Sequence, residues 1–228
     1  MSDFVVVFPL YPRVTQLDFT GPYEVFARLP KAKLIAASVG GQDIEADGLV
    51  FARLADLATI ERCDVICVPG GFGTTEAMLD EAYMAQVRRL AASAAYVTSV
   101  CTGSLILGAA GLLAGKRAAT HWAWRDLLKP FGAIVSEDRV VRDGHLFTGG
   151  GVTAGIDLAL TVVAEVAGED YAQAVQLGIE YAPAPPFDSG RPELAPPQVL
   201  EAVVKRMAPI ANARYAAAAK AAARLQQA

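Results

Sequence analysis

Two hydrophobic patterns alternate along this chain. Short unbroken aliphatic runs, rich in β-branched residues, mark strands covered on both faces, and longer amphipathic stretches follow them. The runs fall at residues 4–10 (FVVVFPL), 33–40 (KLIAASVG), 63–71 (CDVICVPGG) and 95–100 (AYVTSV). Shorter strands are expected at 117–121 and, around Asp143-Gly144, within 134–151. Helical periodicity marks 74–93, 102–115, 122–132 and 153–168, and residues 17–29 read as a loop leading into a helix. Asp47-Gly48, inside 45–54, predicts a short hairpin. Strand and helix in steady alternation imply right-handed crossovers, hence an α/β fold with a mostly parallel sheet and helices on both faces.

The pattern changes near the end. Residues 182–197 (APAPPFDSGRPELAPP) are Pro-rich and should run extended or irregular over a surface. Residues 198–228 are Ala-rich and read as a helical tail, with a break or kink near Pro209, that serves packing or dimerisation. No internal repeat is visible. The expected organisation is one domain over 1–228, with 182–197 as a surface segment and 198–228 as a tail.

Composition narrows the function classes. With 54% hydrophobic and 19% charged residues, 228 residues can enclose a large core. The net charge of -4 and the lack of a basic stripe argue against nucleic acid as a partner. No apolar run reaches membrane-spanning length, and the first residues lack a signal-peptide pattern. An odd count of three cysteines without such a signal points to a reducing, cytoplasmic setting.

Candidate chemistry gathers where strands end. In open α/β sheets ligands bind beyond the carboxyl ends of the strands. Asp18, Gly70-Gly71, Cys101 and His121 follow the first, third, fourth and fifth expected strands. Cys101, between a strand and a helix, is either a nucleophile at a sharp elbow or a buried small residue. As a nucleophile it would feel the start of the next helix, which lowers a thiol pKa. Asp18 is either a helix N-cap or an acid/base near Cys101, with a pKa raised by burial and like charge. The Gly70-Gly71 amides are either an oxyanion-type donor or part of a plain turn. His121 is a weak candidate base, because no carboxylate is evident to orient it, and His145 reads as solvent-facing. Cys63 and Cys67 read as packing residues, and no metal-ligand pattern accompanies them. Tyr23, Phe26, Phe72, Trp122 and Tyr181 are core residues or pocket walls.

Taken together, five stretches resemble the ThiJ/PfpI superfamily and, within it, the isocyanide hydratases. They are QLDFTGPYEV (16–25), DVICVPGGFG (64–73), YVTSVCTGSLILGAAGLLAGKRAATHWAW (96–124), RVVRDGHLFTGGGVTAGIDLAL (139–160) and EYAPAPPFDSGRP (180–192). The elbow alone marks the superfamily; the early Asp and the EYAPAPPF stretch make the likeness narrower. The resemblance implies a flavodoxin-like three-layer sandwich, related to class I glutamine amidotransferases. It implies Cys101 as nucleophile, Asp18 as its acidic partner and Thr102 as an ordering residue. Gly70 and Gly71 would contribute to a polar pocket, and Gly150 and Val152 would start a helix that packs near the cysteine and is loosened when the cysteine is modified. Val152 is smaller than the Ile expected in that place. The implied reaction adds water to an isocyanide through a Cys101 thioimidate, without metal or organic cofactor, in a homodimer. Two other readings stay open: a non-catalytic ligand-sensing domain like those of AraC-type regulators, and a glyoxalase-like or chaperone-like member of the superfamily.

Overall fold

A computed structural model describes residues 3–227. In chain order the strands are β1 Phe4–Pro9, β2 Ala32–Ser38, β3 Ile44–Ala46, β4 Leu49–Phe51, β5 Ala55–Asp56, β6 Val65–Val68, β7 Tyr96–Val100, β8 Arg117–Ala118, β9 Ile134–Val135, β10 Val140–Asp143 and β11 Leu146–Gly149. The helices are α1 Gln16–Phe26, α2 Thr74–Ala77, α3 Glu81–Ser93, α4 Gly103–Ala109, α5 Ala154–Ala167, α6 Glu169–Gly178 and α7 Pro197–Leu225, with a 3-10 helix at Trp122–Phe131.

Seven strands form the central sheet in the order β10-β11-β7-β6-β1-β2-β5. All its pairs are parallel except β10–β11. The β-branched runs lie in the middle: Val6, Val7, Val65 and Ile66 are fully buried, as strands covered on both faces require. From β1 the chain goes first to β2 on one side and later to β6 on the other. Strand order therefore reverses between β1 and β6, the kind of crevice where α/β sheets bind ligands. The expected mostly parallel α/β sandwich is the observed fold.

Local departures have physical reasons. The strand expected at 117–121 is only Arg117–Ala118, and it pairs with β9 in a separate two-stranded sheet. His121 therefore does not follow a strand of the central sheet. The helix expected over 74–93 is two helices, because the Asp80 carboxylate accepts from the Ala82 and Tyr83 amides and caps α3. The hairpin at Asp47-Gly48 is β3–β4, with both turn residues at positive φ, 50° and 82°. Residues 181–196 contain no helix or strand. Beyond them α7 runs unbroken through Pro209, since a proline removes only one hydrogen bond of a long Ala-rich helix whose later turns are anchored. The anchor is a stripe of small side chains, Ala217, Ala218, Ala221 and Ala222, which lets α7 approach the core closely. α6 begins just past Gly168 with two acidic residues in its first turn, a start favoured by the helix dipole.

Candidate active site

Cys101 leaves β7 with φ +56, a left-handed conformation that costs a non-glycine residue about 1–2 kcal/mol. Four hydrogen bonds hold it there. Its N–H donates to Gly149 O at 3.1 Å and Gly150 O at 2.8 Å. Its carbonyl accepts from Ser104 Oγ at 3.1 Å and Thr120 Oγ1 at 3.0 Å. Strain retained under this many restraints is typical of a functional position. Gly103 follows because nothing larger fits: a Cβ there would stand 2.1 Å from Val68 O.

Asp18 lies inside the first turn of α1, whose N-cap is Thr15, so it does not cap the helix. Its side chain is fully buried and turns to the neighbouring loop, where Oδ2 accepts from Gly70 N at 2.9 Å. Oδ1 has no hydrogen-bond partner. Burial pushes the carboxyl up to about 7, against the lowering effects of the Gly70 amide and of a hydrogen bond with Cys101. The rise by burial was expected; the like-charge contribution expected from Cys101 is not seen, since the sulfur lowers the value.

The Cys101 thiol is also pushed up, well above its ordinary value. Burial is the largest cause, followed by the charge of Asp18; the Thr102 amide and Arg214 pull it down. The lowered thiol pKa expected from the helix start is thus overturned, because a sealed elbow loses more hydration than one amide and a seven-residue α4 restore. Burial thus favours the protonated thiol, and Asp18, at about 7, is the group of the pair that titrates near neutrality.

Thr102 ties the elbow to the glycine loop. Its Oγ1 accepts from Gly71 N at 3.0 Å and shares a 2.8 Å hydrogen bond with Thr74 Oγ1, which meets Tyr11 Oη at 3.0 Å. The Gly70 amide is committed to Asp18 and the Gly71 amide to Thr102, so the donor aimed at the sulfur is the Thr102 amide. At Gly70 a Cβ would lie 2.5 Å from Thr102 N and 2.8 Å from Asp18 Oδ2, so only glycine permits this convergence. Gly150 contributes backbone alone: its carbonyl holds Cys101 and its amide donates to Arg139 O at 2.8 Å.

A cavity of about 440 Å³ opens over Cys101 and Thr102. Phe72, Trp124, Val152, Val203, Met207 and Ile210 give it apolar walls, and Asp47, His121, Arg206 and Arg214 add polar groups. A second, polar cavity of about 290 Å³ shares His121 and Val152 with it and reaches Trp122, Arg125, Glu137 and Glu193. Of the five aromatic candidates, Phe72 lines the first cavity and Trp122 the second. Phe26 is core, Tyr23 packs 5.3 Å from the Phe8 ring, and Tyr181 Oη donates to Asp157 Oδ2 at 3.1 Å.

His121 reaches the site but is a poor base. Burial lowers its pKa to about 4, and its Nδ1 accepts from Ala123 N at 3.3 Å, which leaves the proton of the neutral ring on Nε2. Cys63 and Cys67 are buried thiols raised to about 11 and about 12 by desolvation. His145 is exposed. Among the described residues no three His, Cys, Asp or Glu side chains are grouped to hold a metal ion. Sequence reasoning missed Arg214 and the cavity wall of α7. The available signal was the spacing of Val203, Met207, Ile210 and Arg214, which repeats every three to four residues along one helix face.

The chain is 54% identical over 221 residues to an isonitrile hydratase of Pseudomonas putida, covering 96% of each. It is 29% identical over 140 residues to a helix-turn-helix transcriptional regulator of Pseudomonas aeruginosa, covering 60% of this chain and 41% of the regulator. A crystal structure of a ThiJ/PfpI family protein from Pseudomonas syringae superposes with a TM-score of 0.92 at 41% identity, over 96% of this chain and 91% of that one. The profile of the DJ-1/PfpI family matches residues 5–165, the segment that carries Asp18, Gly70, Cys101 and Thr102. This chain belongs to the DJ-1/PfpI family.

Proposed function

We propose that this protein is an isocyanide hydratase that converts R–N≡C and water to an N-substituted formamide. The observation that carries the reading is the 54% identity to an isonitrile hydratase across nearly the whole of both chains. The geometry supports it: the buried Cys101 thiol lines a cavity whose walls are mostly apolar, and the fully buried Asp18 carboxyl lies behind it on the Gly70 amide.

Cys101 acts as the nucleophile and Asp18 as the acid/base. An isocyanide carbon accepts a nucleophile and a proton on the same atom. As Sγ forms its bond to that carbon, the Asp18 carboxylate takes the thiol proton and delivers it to the carbon, giving a thioimidate, R–N=CH–S–Cys101. Water then adds to the carbon while Asp18 moves one of its protons to nitrogen. The C–S bond breaks, R–NH–CHO leaves, and the hydroxyl proton returns to the Cys101–Asp18 pair. Thr102 orders the elbow and directs its amide at the sulfur. Gly70 fixes Asp18, Gly71 fixes Thr102, Gly150 holds the elbow and Val152 walls the cavity. Every group these steps need is a side chain or amide of this chain, so the reaction proceeds without metal or organic cofactor.

The working form is a cytoplasmic homodimer. Three buried free thiols suit a reducing compartment, and Leu177, Phe187 and Leu194 are exposed apolar side chains that a second copy would cover. Among the described residues no helix is long and apolar enough to cross a membrane.

Steady-state formamide formation from a simple aryl isocyanide tests the reading. Wild type should turn the substrate over and Cys101→Ala should not. Substantial turnover by Cys101→Ala would remove the covalent mechanism. Binding without turnover by wild type would favour a ligand sensor, and faster consumption of methylglyoxal would favour a glyoxalase-like enzyme.

A further inference from the structure

α7 carries into the interior a charge that the steps above leave idle. Arg214 is 2% exposed and lines the same cavity as Cys101 and Thr102. Its Nη2 donates to Gly71 O at 2.9 Å and Phe72 O at 3.3 Å, and its Nε to Thr75 Oγ1 at 3.3 Å. The guanidinium carbon stands 4.6 Å from the centre of the Trp124 ring. All these partners are neutral. Among the described residues no ion pair within 4.0 Å includes Arg214. A cation taken out of water with hydrogen bonds and an aromatic face but no carboxylate partner stays costly, and a nearby group that becomes negative would lower that cost.

The surrounding groups narrow the choice. Tyr11, after β1, is a phenol raised by burial and bonded to Pro69 O and Thr74. Cys67 on β6 is a thiol raised to about 12, and His121 is neutral. Glu76 on α2 pairs with Arg13 at 3.6 Å, both well exposed. Asp47 and Arg206 lie along the cavity wall. Asp18 on α1 is anchored to Gly70. The remaining group, Cys101, shares the cavity with Arg214 and gathers negative charge during the reaction. Each favours the charged form of the other. A second link is mechanical: Arg214 holds Gly71 O, the Gly71 amide holds Thr102 Oγ1, and the Thr102 amide faces the sulfur.

We propose that Arg214 is a positioning residue for the hydration, the buried counter-charge that steadies sulfur as its proton leaves and the clamp that fixes the Gly71–Thr102 contact. The proposal rests on the reading of Cys101 as nucleophile. It assigns the C-terminal helix a part in the chemistry as well as in the cavity wall.

The test reads the thiol directly. Alkylation of the intact protein by iodoacetamide is followed against pH, with the label assigned to Cys101 by peptide mass mapping, for wild type, Arg214→Met, Arg214→Gln and Arg214→Lys. The two neutral variants should raise the pH midpoint of Cys101 alkylation by about one unit or more, the effect expected on losing a nearby opposite charge. Arg214→Lys should stay within about half a unit of wild type, because the charge is retained. The neutral variants should also lose kcat for isocyanide more than they raise KM. A folded neutral variant with the wild-type midpoint overturns the proposal, as does a lysine variant shifted as far as the neutral ones. Should neither neutral variant fold, the lysine variant decides alone: a midpoint within about half a unit of wild type with kcat retained supports the proposal, and one raised by about a unit or more overturns it. Alkylation needs no isocyanide turnover, so a wild type that hydrates nothing defeats the functional reading separately.

Discussion

Replacing Asp18 by Asn should exchange activity for stability, and pH should control both. The asparagine keeps the shape and can still accept from Gly70 N, but it cannot ionise. In the wild type the carboxyl has been moved by burial from its ordinary 3.8 to about 7. At about 1.4 kcal/mol for each tenfold change, holding that carboxylate charged in the folded protein costs about 4 kcal/mol relative to the unfolded chain. The sign follows from linkage. A raised acid pKa favours the folded state below 3.8, and that advantage is lost as pH rises through about 7. Asp18→Asn lacks this loss. Urea unfolding of both proteins should show the variant gaining on the wild type between pH 4 and pH 8, by up to about 4 kcal/mol in relative stability. Activity should move the other way. The competent pair holds one proton, on sulfur, with Asp18 ionised, so wild-type kcat/KM should climb with pH through an apparent midpoint about 7 that belongs to the pair. The variant should lose that limb and about 10²–10⁴ of the rate. His121, at about 4, cannot supply such a limb. A stability difference that does not change with pH, or a variant that keeps the limb, would refute the buried-carboxyl argument.

Three other substitutions probe the frame. Gly70→Ala must displace either Thr102 or the Asp18 carboxylate, since its Cβ would sit within 2.8 Å of both; it should lower kcat and cost about 1–3 kcal/mol in thermal or urea unfolding. Thr102→Val leaves the Gly71 amide without its acceptor and removes one of the hydrogen bonds of Thr74, so unfolding free energy should drop by about 1–3 kcal/mol, read from denaturant midpoints. Cys101→Gly should be about 1 kcal/mol more stable than Cys101→Ala, because alanine inherits the left-handed strain and glycine does not; equal melting temperatures would contradict the strain.

The central strands were legible because a strand buried on both faces has to be apolar throughout, as in Val5-Val6-Val7 and Val65-Ile66-Cys67-Val68. The switch crevice followed from their alternation with helices. The minor strand at Arg117–Ala118 was misplaced because two residues carry no periodicity, and pairing with β9 is a tertiary choice. The split after Ala77 depended on one side-chain cap, and α6 on a Gly168 that both ends one helix and precedes another. In the site, Cys101 and Asp18 stood out by position. The raised thiol pKa did not, because it comes from how completely α7, the 3-10 helix and the glycine loop enclose the elbow. Arg214 was overlooked because a single arginine in an alanine-rich helix looks solvated. Its place three, four and seven residues before Ala217, Ala218 and Ala221 sets it on the buried stripe.

The pieces of the site are distant along the chain. Asp18 and Gly70 are 52 residues apart, Gly71 and Thr102 31, and Gly71 and Arg214 143. None of these links is local, so the site exists only once the long-range contacts of the fold have been made. Until then the cysteine is an ordinary thiol. Afterwards it is quiet for a different reason, since its proton is held until a substrate carbon arrives to receive it. A cell can therefore hold a large stock of the folded protein without holding a stock of free thiolate, and indiscriminate electrophiles meet a chain that is dormant toward them.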